Sequence, residues 1–166
     1  MSTLNVDTIQ DKAGAFEHAR LVQILSTSTG AVSTTTTPIP EDDTIPQNNE
    51  GGEILTQAIT PKNSSNKLYI HAVVQMKPST GRNVGLALFQ DTTAGALATN
   101  WTKDQGTQIT QVVLTHVMDA GTTSATTFKI RGGADSSGTV TFNGSGGSRL
   151  FGGVSSTILT IMEFRA

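Results

Sequence analysis

The ten residues Lys67-Leu-Tyr-Ile-His-Ala-Val-Val-Gln-Met76 decide the fold. Read two by two, one face carries Leu68, Ile70, Ala72, Val74 and Met76. The other carries Tyr69, His71, Val73 and Gln75, which is not a face built for water. Side chains alternate across a strand, so this run predicts a strand with two faces that both resist solvent. Two more runs repeat the pattern. In Ile109 to Met118, Val112, Leu114, His116 and Met118 share one face, and Ile109, Val113 and Val117 share the other. In Ile158 to Phe164, Ile158, Met162 and Phe164 alternate with Leu159 and Ile161. A two-sheet sandwich has one interior, so a second apolar face needs a cover from elsewhere. Another copy of the chain, in a closed ring, is one cover, and a loop folded over a barrel is the other. The first reading places Tyr69, His71, Val73, Val113, Val117, Leu159 and Ile161 at a subunit interface.

Working outward, six more β-like runs surround these three. They are Leu21 to Leu25, Ala31 to Thr37, Glu53 to Ile59, Val84 to Gln90, Thr126 to Arg131 and Thr139 to Asn143. β-Branched residues dominate them, which suits a pleated surface. Turn chemistry separates them, as in Pro61-Lys-Asn-Ser-Ser-Asn, Pro78-Ser-Thr-Gly, Asp135-Ser-Ser-Gly and Gly144-Ser-Gly-Gly. Eight or nine strands with almost no helical period predict an all-β sandwich, jelly roll or barrel. Residues 1–19 stand apart, with sparse apolar positions at Leu4, Val6, Ile9 and Phe16. That segment is too short to bury a face of its own and reads as an arm that docks on a partner surface. The expected division is an arm over 1–19 and one domain over 20–166.

Composition bounds the function. Charged residues make up 14% of the 166-residue chain, against about 25% in a typical soluble domain. A net charge of −2 argues against full disorder. Eleven Lys and Arg against 13 Asp and Glu leave no surplus for a phosphate backbone, so no nucleic-acid partner is expected. There is no cysteine, hence no disulfide and no thiolate chemistry. No run approaches 18 apolar residues, so no helical membrane insertion is expected, and the N-terminus lacks the pattern of a secretory signal. The low charge also predicts that Lys129, Arg131 and Asp135 lie on the outer sheet and distal loops, away from any subunit axis.

Chemistry-bearing residues are few. His18, His71 and His116 have no metal-ligand spacing; His71 and His116 read as core or interface histidines. A ring of one histidine around a threefold, able to hold an ion or sense pH, is the sharper alternative. Glu41-Asp42-Asp43 is flanked by prolines and reads as a rigid turn rather than a Ca²⁺ loop. The glycine-rich Gly144-Ser-Gly-Gly precedes no helix and reads as a hairpin turn, not a phosphate loop. No serine sits on a strand-to-helix elbow. Glu163 and Asp91 are almost the only carboxylates on or beside the strands, so neither a glycan-cleaving site nor any other enzyme, metal or cofactor is expected. Trp101, in an expected loop over Ala98 to Gly106, is the one candidate to stack on a sugar.

Several segments in order carry a family resemblance. Pro40-Glu-Asp-Asp-Thr-Ile-Pro-Gln-Asn-Asn-Glu-Gly-Gly-Glu runs into Ile54-Leu-Thr-Gln-Ala-Ile-Thr-Pro-Lys-Asn-Ser-Ser-Asn-Lys-Leu. Ala87-Leu-Phe-Gln-Asp, Ala120-Gly-Thr-Thr-Ser-Ala-Thr-Thr-Phe-Lys-Ile-Arg and Gly138-Thr-Val-Thr-Phe-Asn-Gly-Ser-Gly-Gly-Ser-Arg-Leu-Phe-Gly-Gly follow. The series closes with Ser156-Thr-Ile-Leu-Thr-Ile-Met-Glu and covers about residues 20 to 165. It resembles the trimeric jelly-roll, fibre-knob-like domains of tailed-phage virion proteins. Ser2-Thr-Leu-Asn-Val-Asp-Thr-Ile-Gln is similar to the extreme N-terminus of other phage structural proteins, especially of cyanophage-like viruses.

The resemblance implies a two-sheet antiparallel jelly-roll sandwich, assembled as a homotrimer on the virion surface and made in the host bacterial cytoplasm. Family members often end long chains with a shaft, and no shaft or heptad region is legible here. An arm of about twenty residues reaches only a short way, at about 3.5 Å per residue. That favours capsid cement or decoration, docked on major capsid or tail proteins through Leu4, Val6 and Ile9 by edge pairing and avidity. The other expectation is the receptor-binding tip of a tail fibre or spike, reading host cell-surface glycan through the Trp101 loop. Dimers would also cover the second apolar face.

Overall fold

The computed structural model describes residues 20–103 and 106–166. The expected arm residues Leu4, Val6 and Ile9, and His18, lie outside them. The described chain is all-β apart from a single 3-10 turn at Phe151–Gly153. Its strands are β1 (Leu21–Thr29), β2 (Ser33–Thr35), β3 (Gly52–Ile59), β4 (Lys67–Pro78), β5 (Val84–Gln90) and β6 (Ala98–Thr102). They continue with β7 (Thr110–Asp119), β8 (Thr126–Ala134), β9 (Val140–Phe142), β10 (Gly144–Ser145), β11 (Ser148–Arg149) and β12 (Thr157–Phe164).

Two antiparallel sheets form the sandwich. One holds β1, β12, β4, β9 and β2 in that order, with β7 also paired to β4. The other has the order β3-β8-β5-β6. The first and last long strands are neighbours: β1 pairs with β12, and β12 with β4. β10 and β11 make a separate small hairpin. The antiparallel all-β sandwich read from the sequence is the observed architecture.

The interior follows the two-residue period. Leu68, Ile70, Ala72, Val74 and Met76 of β4 are each 0% exposed and meet Leu86 and Leu88 of β5, Phe128 and Ile130 of β8, and Leu159 and Ile161 of β12. Burying one such side chain is worth about 1.5–3 kcal/mol, so this layer dominates folding. Phe128 and Ile130 alternate with Thr127, Lys129 and Arg131, whose side chains stay half-exposed on the opposite face. Lys129 and Arg131 therefore lie on the β3-β8-β5-β6 sheet, and Asp135 follows β8 directly.

The outward face of this second sheet is covered by the chain itself. Ile39, on the β2–β3 connection, packs on Ala87 and Phe89, with Ala96 and Trp101 alongside. The connection is pinned by the Ile39 N–H donating to the Ala134 carbonyl (2.9 Å) and by the Arg131 guanidinium donating to the Glu50 and Gly51 carbonyls (both 2.7 Å). With a cover on one side and the core on the other, β5 reads as a continuous apolar run.

One segment differs from the sequence expectation. Ala98 to Thr102, expected as loop, is the edge strand β6, paired with β5. Ala-Thr-Asn-Trp-Thr has no apolar alternation to reveal it. An edge strand needs only one partner and one face, so tertiary pairing decides it.

Candidate assembly face

The outward face of β1-β12-β4-β7 has no cover among the described residues. Strand register lines its side chains into rows across all four strands. Ile24 faces Met162, Met162 faces Tyr69, and Tyr69 faces Val117. The next row is Ser26, Thr160, His71 and Thr115. The third is Ser28, Ile158, Val73 and Val113. An apolar row, a hydroxyl–imidazole row and a second largely apolar row thus succeed one another, with no formal charge in any. Val117 is 59% exposed, Ile24 52%, and Val113 and Ile158 37% each, so this is apolar surface left in water. At the end of the face Lys67 and Asp119 stand opposite each other and pair at 2.5 Å.

The polar row is only partly satisfied. The Ser26 and Thr160 hydroxyls share a hydrogen bond at 2.9 Å. The Tyr69 and His71 rings are near-parallel, with centroids 6.2 Å apart and planes at 12°. His71 Nδ1 is buried and has no hydrogen-bond partner in the described chain. An unpaired buried nitrogen costs about 1–3 kcal/mol. Gln75 at the end of the face accepts from the Ser155 hydroxyl.

Five of the seven expected interface residues fall on this face: Tyr69, His71, Val73, Val113 and Val117. Leu159 and Ile161 do not. Both are 0% exposed in the chain's own core, and Ile158, Met162 and Phe164 face outward instead. The sequence is ambiguous here because Glu163 shares the inward parity of Leu159 and Ile161, and a carboxylate normally marks the wet side.

Glu163 is 0% exposed, and four donors hold it. Its Oε1 accepts from the Lys62 and Asn63 backbone N–H groups (2.8 and 3.3 Å) and from Asn66 Nδ2 (2.6 Å), while Oε2 accepts from Gln23 Nε2. Burial works to raise its pKa, but the hydrogen bonds from Asn66, Gln23, Lys62 and Asn63 outweigh it and hold the carboxyl below its ordinary 4.5. It clamps the β3–β4 turn to β12.

The remaining candidates have structural partners. Asp91 accepts from the Thr126 hydroxyl (2.8 Å) and the Thr127 N–H (2.7 Å). Asp42 accepts from the Thr44 N–H at 2.9 Å, the Asx-type turn expected of the acidic run. His116 is half-buried on the inward side of β7. Among the described residues no three of His, Asp and Glu converge as metal ligands. Trp101 lies half-buried on β6 opposite Gly85. A Cβ on Gly85 would stand 2.6 Å from Trp101 Cδ2, so the indole lies directly against that glycine.

Among known proteins, no family model and no curated protein matches the sequence. Solved structures do match. A structure of Eiger TNF from S. frugiperda has a TM-score of 0.52 and 7% identity over 88% of this chain and 94% of that one. This likeness shows a shared fold and nothing further. Fainter matches include the enzymatically active domain of bacteriophage CBA120 tailspike protein 4 (TM-score 0.30, 14% identity, 75% of this chain and 19% of that one). The infectious bursal disease virus VP2 subviral particle is another (TM-score 0.32, 12% identity, 87% and 38%).

Proposed function

We propose that this chain is a structural protein of a tailed-phage virion, a jelly roll that self-associates as a homotrimer through the outward face of β1-β12-β4-β7. The observation that carries the reading is the face itself: three rows across four strands, half apolar, without a formal charge. Burying such rows gains about 25 cal/mol per Å² and desolvates no ion. His71 sits in the middle row with the Ser26, Thr160 and Thr115 hydroxyls, groups that a neighbouring copy can meet with hydrogen bonds. A closed ring of three covers every copy of the face at once.

The virion setting rests on the ordered series of segments that resembles phage jelly-roll knobs. Within it, capsid cement or decoration fits best. The assembled domains are seated by residues 1–19, with Leu4, Val6 and Ile9 plugging neighbouring major capsid or tail subunits. Three arms per trimer give avidity from weak single contacts. The half-buried seat of Trp101 leaves little aromatic surface for a host glycan, which favours cement over a receptor-binding tip. Particles carrying a chain without residues 2–12 test the reading. Heads that lose the protein and break at lower temperature are the expected result. Intact, fully decorated heads that fail only in adsorption contradict it.

A further inference from the structure

A second surface stands at the end of the domain where β1 begins and β12 ends. Arg20, Lys62 and Arg165 line a cleft of about 340 Å³ together with Leu21, Val22, Asn63 and Asn66. All three cations are exposed, and among the described residues none of them pairs with a carboxylate. Two of them face each other. Leu21 pairs with Phe164, and the Arg165 N–H donates to the Arg20 carbonyl (2.9 Å), so the two arginines stand opposite across neighbouring strands. Like charges in that position repel. Among the described residues the acid beside them, Glu163, is turned inward with both oxygens taken by Gln23, Lys62, Asn63 and Asn66. Lys62 contributes its backbone N–H to that clamp, which fixes where its side chain leaves the turn.

In a chain so sparing of charge, three cations with no carboxylate partner among the described residues meet in one cleft, a concentration of positive potential. We infer that this cleft binds an acidic peptide segment of a protein partner, its carboxylates held by Arg20, Arg165 and Lys62. Guanidinium groups match carboxylates two hydrogen bonds at a time. The exposed Leu21 and Val22 beside them suit aliphatic side chains between the acids, which a bare inorganic anion lacks. A nucleic-acid backbone needs a longer cationic track than one cleft provides. Every residue invoked belongs to a single chain, so the inference stands whether or not the domain self-associates. It would give the end of the domain next to residues 1–19 a partner chemistry of its own.

The test is fluorescence anisotropy with a labelled Asp-Asp-Leu-Asp-Asp peptide against the full-length chain at low ionic strength. The Asn-Asn-Leu-Asn-Asn peptide is the blank. Saturable binding is expected, weakened at least tenfold in R20Q/K62Q/R165Q and unchanged in K103Q. The triple variant should melt at the parent temperature, since none of its three side chains is buried. Repeating the titration in V113E, on the remote sheet face, separates this cleft from self-association: binding there is expected to match the parent. Equal binding by parent and triple variant overturns the inference, as does no binding by the parent. Displacement by inorganic phosphate at the concentration where free peptide displaces also overturns it, because the cleft would then be a general anion sink.

Discussion

The two sheets of this sandwich treat their outward faces in opposite ways. On β3-β8-β5-β6 the chain folds its own β2–β3 connection over the surface, and Ala87, Phe89 and Ile39 are at most 1% exposed beneath it. Charges are welcome there, because carbonyls of the same connection meet them, as Glu50 and Gly51 meet Arg131. On β1-β12-β4-β7 no described segment returns to cover the face. Its three rows are apolar or hydroxylic apart from the His71 imidazole, and carry no formal charge. The lesson is that a second apolar face has two remedies, a loop in cis or another molecule, and among the described residues only the β3-β8-β5-β6 face has the first.

Changes on the covered side should act on folding. Phe89→Ala empties a closed site and should cost about 3–5 kcal/mol in chemical denaturation. A loss under 1 kcal/mol would show that the β2–β3 cover is not a true second core. Next in size is the Glu163 clamp that ties the β3–β4 turn and β1 to β12. Glu163→Ala leaves four donors without their acceptor and should cost about 2–3 kcal/mol. Because its folded pKa lies below the unfolded value, the clamp stabilises fully above pH 4.5 and fades as pH falls through the lower folded value. Acid unfolding of the parent should therefore be steeper than that of Glu163→Gln. Identical acid transitions would remove Glu163 from the account.

Smaller effects test the edges of the comparison. Gly85→Ala drives a methyl into the Trp101 ring and should cost about 1–3 kcal/mol. The chain has one tryptophan, so a red shift of its emission reports the displacement directly. Unmoved emission would mean that the indole does not rest on Gly85. Smallest of all is Lys67→Gln. Its partner Asp119 is as exposed as Lys67 itself, and such a pair is worth at most about 1 kcal/mol.

The sequence made the interior of this fold legible wherever a strand had to be apolar on schedule. β4, β7 and β8 could be read residue by residue. So could five residues of the uncovered face, because Tyr69, His71, Val73, Val113 and Val117 are too apolar for solvent and out of phase with the core. β12 was legible as a strand but not in its orientation. Glu163 misleads there, and only the three-dimensional return of the β3–β4 turn, with its backbone donors, explains an acid on the inner side. β6 was illegible because an edge strand carries no period. The cationic cleft was illegible too, since Arg20, Lys62 and Arg165 are far apart in sequence and meet only through the pairing of β1 with β12 and the Glu163 clamp on the β3–β4 turn.

The most direct test of the central claim is the native mass of the full-length chain, measured by sedimentation equilibrium at micromolar concentration. The account predicts a trimer of about 52 kDa from chains of 17.3 kDa. It also predicts that Val113→Glu, which sets a charge in an uncharged row, shifts that mass to the monomer while leaving the fold intact by circular dichroism. A parent chain that runs as a 17.3 kDa monomer would contradict the account, as would a Val113→Glu chain that keeps the parent's mass.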